Sequence, residues 1–357
     1  MTDSYFFLDD YSEGAHPSIL EALVANNSQQ EHAYGCDTFS QEAIHLLKER
    51  MEAPHAAIHF VTGGTQANIL GLSSILRPHE SIIATTQAHI HDQEAGAIEA
   101  TGHKINLIPP AETPQGKATP ETVQKILEHH QSHYMVHPKV LYISQATELG
   151  TIYCKAELEA LASFCRKNHL YLYLDGARLG VALTSSKADF TLTDIARCCD
   201  IFYLGGTKNG AFLGEAMVIL HPELQSYFRT YLRQRGALLA KSRLIGIGFQ
   251  QLFKGDLFTR NATHANKMAA QLAAGVAKQG FHPLFPLETN QLFLQLPEKI
   301  AAALHPKFRF YYWDSLSAPE GYRTVRLVTS WATKELAIEA FLEEFSQLTR
   351  ENFHSGD

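Results

Sequence analysis

The chain has 357 residues, 45% of them hydrophobic and 19% charged, with a formal net charge of −7 and no long run of one sign. That composition is too apolar for intrinsic disorder. Without a basic stripe to neutralise phosphates, it also excludes nucleic acid as the partner and leaves a small molecule as the expected one.

At roughly 150 residues per domain the length points to about two domains. Five cysteines, Cys36, Cys154, Cys165, Cys198 and Cys199, form no CxxC pair and cannot all be bridged, which reads as a reduced compartment. The stretch MTDSYFFLDD is acidic and its apolar run is short, so it reads as neither a signal peptide nor a membrane span. The expected location is the cytoplasm.

In chain order, the first 15 residues read as irregular, and Pro17 then opens a helix over SILEALVANN. A second amphipathic helix runs from about Thr38 to Met51, with Ala43, Leu46, Leu47 and Met51 at helical spacing. Two helices before any strand read as an N-terminal helical arm over residues 1–50, an element suited to an oligomer interface. From 51 to 254 the apolar runs AIHFV, SIIAT, INLIP, VLYIS, LYLYLD, IFYLGG and AMVIL alternate with helical segments such as TQANILGLSSIL, TPETVQKILEHH and KAELEALASFCRKN. Short, continuously apolar runs are strands buried on both faces. Their alternation with helices implies a large α/β domain with a mostly parallel seven-stranded sheet and helices on both faces. AMVIL follows IFYLGG too closely for a helical crossover and is expected to be antiparallel. Past Phe253 a long helix from about Thr259 to Gln279, closed by Gly280, is followed by strand-like QLFLQLP, FRFYYWD and TVRLVTS and a final helix, KELAIEAFLEEFSQLT. This reads as a small C-terminal α+β domain over 255–357.

The chemistry gathers at the carboxyl ends of the predicted strands, where open α/β sheets bind ligands. LDGAR places Asp175 and Arg178 there, and GGTKNG places Lys208 after IFYLGG. An acid, a guanidinium and a lysine in one crevice are what pyridoxal phosphate chemistry asks for, though a buried Asp–Arg pair can equally hold a helix onto a strand. Lys208 is the sharper signal, because lysine is rarely left beside a buried strand without a task. In GGTQAN, Gly63, Gly64 and Thr65 sit at a strand-to-helix turn that either cradles a phosphate or simply turns. His89 and His91, two apart in QAHIHDQEAG, would both reach the crevice from an extended stretch. No third ligand with metal spacing accompanies them, so a flat ring is preferred to a metal as their partner. His129, His133 and His137 are read as exposed. Arg326, inside the apolar strand TVRLVTS, either binds a carboxylate ligand or meets a structural acid.

Taken together and in this order, GGTQAN, QAHIHDQEAG, LDGARLG, GGTKNGAFLGEA and RLVTSWAT resemble the threonine aldolase and β-eliminating lyase family of fold type I pyridoxal phosphate enzymes, over nearly the whole chain. The resemblance implies pyridoxal 5'-phosphate as cofactor. Lys208 would be its covalent anchor, Asp175 the partner of its ring nitrogen, His89 the ring stacked on it, and Gly63, Gly64 and Thr65 its phosphate site. Arg178 and Arg326 would take the substrate carboxylate. The basic stretch RQRGALLAKSR, with Arg235, Lys241 and Arg243, would approach the cofactor partly across a subunit interface in a homotetramer or homodimer.

The chain departs from the family pattern twice. SQATELG stands where many members carry ENTH, which leaves the proton of the substrate hydroxyl to a bound water or to His91. The serine of the usual SDT or SDN gives way to Asp9 or Asp10, with Asp10 assigned to the substrate. The implied reaction is cleavage of threonine or a related β-hydroxy-α-amino acid to glycine and an aldehyde. The alternatives are a β-eliminating lyase or aminotransferase on the same cofactor, or a non-catalytic phosphate-binding assembly protein.

Overall fold

The computed structural model describes residues 4–354. Along the chain the strands are β1 (Tyr5–Phe6), β2 (Ala57–Val61), β3 (Glu80–Thr85), β4 (Ile105–Ile108), β5 (His137–Ser144), β6 (Tyr171–Asp175), β7 (Ile201–Gly205), β8 (Glu215–Ile219), β9 (Gln291–Pro297), β10 (Phe308–Arg309), β11 (Tyr311–Tyr312) and β12 (Tyr322–Val328). The helices up to the first long one past the sheet are α1 (Pro17–Ala25), α2 (Thr38–Met51), α3 (Gly64–Ile75), α4 (His89–Asp92), α5 (Pro120–His129), α6 (Lys155–Lys167), α7 (Leu179–Leu183), α8 (Leu192–Cys198), α9 (Pro222–Gln225), α10 (Phe228–Gln234), α11 (Arg243–Lys254) and α12 (Leu257–Ala277). Two more, α13 (Glu298–Leu304) and α14 (Glu335–His354), complete the set.

The seven expected strands form one sheet in the order β2-β8-β7-β6-β5-β3-β4. Pairings among β4, β3, β5, β6 and β7 are parallel, while β8 runs antiparallel to both β7 and β2, as its short connection required. Every residue of β3, β7 and β8 is buried, the mark of strands covered on both faces. Local sequence sets the helix starts. Pro17 occupies the first turn of α1, and the Asp37 carboxylate accepts the Ser40 N–H at 2.7 Å to cap α2.

Strand alternation divides the interior. One apolar layer takes Leu141, Leu172, Leu174, Phe202 and Leu204, and the other takes Tyr142, Tyr173, Tyr203, Met217 and, from α3, Ala67 and Leu70. Asp175 is two residues beyond Tyr173 and so shares the face of the tyrosines. A third core, with Met268, Leu272, Leu294, Leu327, Phe341 and Phe345, lies between α12, α13, α14 and the antiparallel sheet β11-β12-β9.

Four local expectations are corrected. Of the first 15 residues, 1–3 lie outside the described residues and 4–15 are not wholly irregular: β1 pairs in parallel with β10, and Phe7 is fully buried in the third core. FRFYYWD breaks at Phe310 into two short strands that join different sheets. The long helix runs Leu257–Ala277, two residues earlier at each end than expected, while Gly280 closes it as expected: it takes φ +86°, its N–H donates to the Ala277 carbonyl at 3.0 Å and the Phe281 N–H to that of Val276 at 3.2 Å. His89 to Asp92 form a helical turn, not an extended stretch.

Candidate active site

Asp175 ends β6 on the tyrosine face and accepts four hydrogen bonds. Tyr142 and Tyr203 each donate a hydroxyl at 2.5 Å, the Ala177 N–H donates at 3.0 Å, and the Asn68 amide at 3.2 Å. Burial by itself would raise the carboxyl, but the nearby His89 and the two tyrosine hydroxyls outweigh it and hold Asp175 below the ordinary carboxylate range. A buried, ionised acid at a strand end is the result.

Lys208 lies in the single turn between β7 and β8. Burial, reinforced by the Arg178 guanidinium, pulls its pKa down against the pull of Asp10, Asp175 and Glu215. Glu215, first residue of β8, accepts the Gly206 N–H at 2.8 Å, and burial pushes it up to about 7. The cavity between these groups has a volume of about 310 Å³, within the roughly 300–1,000 Å³ usual for small-molecule sites. Gly63, Gly64 and Thr65 line its far end, where α3 begins with no side chain capping its first turn. Those free N–H groups and the helix dipole make an anion site.

A wider cavity of about 580 Å³ adjoins it and shares Tyr11, His89, Glu148, Arg178 and Lys208. The C-terminal sheet contributes Trp313 and Arg326 to this outer space. The Arg326 guanidinium lies 4.4 Å from the Trp313 ring, only 9% of the residue is exposed, and its Nε has no partner among the described residues. Burial and the neighbouring Arg178 lower its pKa to about 10. Arg178, by contrast, is engaged: Nε and Nη2 donate to the two oxygens of buried Asp10 at 2.8 and 3.0 Å, and Asn290 donates to the same carboxylate at 2.9 Å.

His89 lines both cavities, and its Nδ1 is 2.8 Å from Glu94, whose carboxylate also accepts from Asn68 at 2.8 Å. Successive helical residues turn by about 100°, so His91 points elsewhere; it pairs with Asp92 at 3.3 Å and lines neither cavity. Its expected access to the crevice is therefore corrected. Arg243 opens α11 and donates to the carbonyls of Gln29 and Asn27, away from both cavities. Asp9 caps its own turn through Tyr11 N–H and Ser12.

These surroundings fit pyridoxal phosphate: a lysine with a lowered pKa, an ionised acid, an anion-binding helix start and a buried cation with a free donor, around two joined cavities. The family model for beta-eliminating lyases matches residues 7–299. The chain belongs to the beta-eliminating lyase family. Among its relatives, a low specificity L-threonine aldolase of Pseudomonas aeruginosa is 33% identical over 93% of this chain and 95% of its own. A threonine aldolase structure from Leishmania major is 44% identical, with TM-score 0.94 over 97% of this chain and 99% of the other. An aromatic aminotransferase from Pyrococcus horikoshii, 16% identical with TM-score 0.72 over 99% of this chain and 97% of the other, shares the fold type.

Sequence reasoning did not find Asn68, Glu94, Tyr142, Tyr203, Glu148 or Glu215. The tyrosines carried a usable signal: VLYIS and IFYLGG each place one tyrosine on the Asp175 face and LYLYLD places two, Tyr171 and Tyr173, while Tyr142 and Tyr173 are register partners.

Proposed function

We propose that the protein is a pyridoxal 5'-phosphate-dependent carbon–carbon lyase that cleaves L-threonine or a related β-hydroxy-α-amino acid to glycine and an aldehyde. The observation that carries this reading is the pair of joined cavities, one bounded by Asp175 and Lys208 and the other by the Arg326 guanidinium, whose Nε has no partner among the described residues. The threonine aldolase names of the relatives supply the reaction.

Bound there, pyridoxal phosphate supplies an electron sink for the pair released when Cα–Cβ breaks. Gly63, Gly64, Thr65 and the start of α3 hold its phosphate through backbone N–H groups. Asp175 keeps a proton on its ring nitrogen, and His89 covers the ring. Burial and the Arg178 charge lower the Lys208 pKa, so it gives up its proton more readily than an ordinary lysine, and the neutral amine is the form that reacts with a carbonyl and can carry a proton at Cα. Arg326 takes the substrate carboxylate with the donors it has free, and its partly apolar, water-poor setting strengthens that bond. Arg178, fixed by Asp10, adds positive charge at the same place, so the two arginines keep the assignment to the carboxylate with Asp10 acting through Arg178.

The same proposal divides the chain into an arm over 1–50, a large domain over 51–254 and a small one over 255–357, with a homotetramer or homodimer in the cytoplasm as the working form. Arg243 belongs to it as a residue that meets the cofactor only within such an assembly. No described helix is long and apolar enough to cross a membrane. The test is to supply L-threonine and L-phenylserine with pyridoxal phosphate. Glycine should accumulate, and Lys208→Ala should abolish it; if neither substrate yields glycine above that variant, the aldolase reading fails.

A further inference from the structure

Cleavage of a β-hydroxy amino acid needs a group to remove the hydroxyl proton, and His91 does not reach the cavities. Five residues line both of them: Tyr11, His89, Glu148, Arg178 and Lys208. Arg178 is held by Asp10, and Lys208 is committed to the cofactor under the reading above. His89 has Nδ1 on Glu94 and would be the residue that covers the cofactor ring under that same reading. Tyr11 is half exposed and burial raises its pKa, so it stays protonated and cannot serve as a base at neutral pH. Glu148 is the remaining one.

Glu148 arises from the loop that follows β5, the segment SQATELG. Its Oε1 accepts the Ser144 hydroxyl at 2.6 Å and the His89 N–H at 2.9 Å. Both bonds fall on one oxygen and, with the residue's own backbone N–H, fix the carboxylate where the cavities meet, and no other described residue bonds Oε2. Resting on the aldolase reading, we propose that Glu148 is the general base for the substrate's β-hydroxyl. The outer cavity that holds Arg326 is also walled by Thr86 and Gln87 after β3 and by Glu148 and Leu149 of the SQATELG loop, so Glu148 faces the same space as the carboxylate receptor and Lys208. In the step, the hydroxyl proton passes to Oε2 and the O–H pair becomes the second bond of the aldehyde C=O. The Cα–Cβ pair stays on the Cα side, and a proton delivered there completes glycine. Burial, with the negative charge of Asp175 close by, raises the Glu148 carboxyl toward the working range of such a base, against the pull of its Ser144 bond.

The test uses Glu148→Gln in the cofactor-loaded protein, because an amide oxygen still accepts from Ser144 and His89 but takes up no proton. Threonine cleavage should fall by about 10²- to 10⁴-fold, the usual contribution of a general base. The cofactor absorption band, the binding constant of L-threonine by calorimetry and the exchange of glycine's α-proton in D₂O, which involves no hydroxyl, should stay at wild-type values. Cleavage at the wild-type rate would overturn the proposal. A parallel fall in α-proton exchange or a displaced band would also overturn it, because Glu148 would then merely anchor His89. A wild-type enzyme that exchanges the glycine proton but releases no glycine from threonine would instead remove the aldolase reading, and this proposal with it.

Discussion

At the scale of single residues, the site is decided by which charges are paired and which are left free. Arg178 and Arg326 look alike in sequence, each an arginine in an apolar context, yet one meets a bidentate carboxylate and the other keeps an unpartnered Nε. Asp10 is 1% exposed and its partners outweigh its burial, so its folded pKa lies below the ordinary value. A depressed acid adds stability that is present above the unfolded pKa of about 3.9 and is lost as pH falls through the folded value. Asp10→Asn should therefore lower stability at pH 7 by about 3–5 kcal/mol, the cost of stranding a buried Arg178. The gap from wild type in urea midpoint should close as the pH is taken below 4. An unchanged midpoint at pH 7 would mean that the pair is not what holds Arg178.

At the scale of elements, β6 and β7 must approach closely for Asp175 and Lys208 to share a cavity, and glycine permits it. A Cβ on Gly176 would stand 1.9 Å from the Tyr203 carbonyl oxygen, and one on Gly205 would stand 2.2 Å from that of Ala177. Both contacts are with backbone, which cannot swing aside. Gly176→Ala should cost well over 1 kcal/mol, as overpacked cores do, and should weaken pyridoxal phosphate binding measured by absorbance titration. Wild-type affinity would show that the strand spacing tolerates the methyl. The order of these elements was legible because buried strands leave continuous apolar runs, and the antiparallel turn of β8 followed from a connection too short for a helix. The small elements were not: α4 spans four residues and α7 five, too few for helical periodicity to register. Misreading α4 as extended is what put His91 in the crevice. Lys208, Asp175 and His89 were legible because motif and strand end coincide. Glu94, Asn68 and Glu148 were not, since their roles come from partners 5, 107 and 59 positions away.

At the scale of the whole molecule, the two cavities join surfaces from distant parts of the chain: the α3 start and the β6 and β7 ends of the large sheet, the N-terminal stretch through Tyr11, with Asp10 behind it on Arg178, and Arg326 and Trp313 from the C-terminal part. Arg326 reaches the site because β12 sits between β11 and β9 and turns its buried side chain toward Leu8 and Trp313. The architecture thus places a carboxylate receptor from one layer opposite an amine from another, and everything proposed about the reaction depends on Asp175 and Lys208 facing one ring between them. The most direct test adds pyridoxal phosphate to the purified protein, records the visible spectrum, reduces with borohydride and maps the modified peptide by mass spectrometry. A visible band that borohydride abolishes, with the cofactor's mass fixed on the peptide containing Lys208 and absent from Lys208→Ala, is the predicted result. A colourless protein, or label on other lysines while Lys208 stays unmodified, would contradict it.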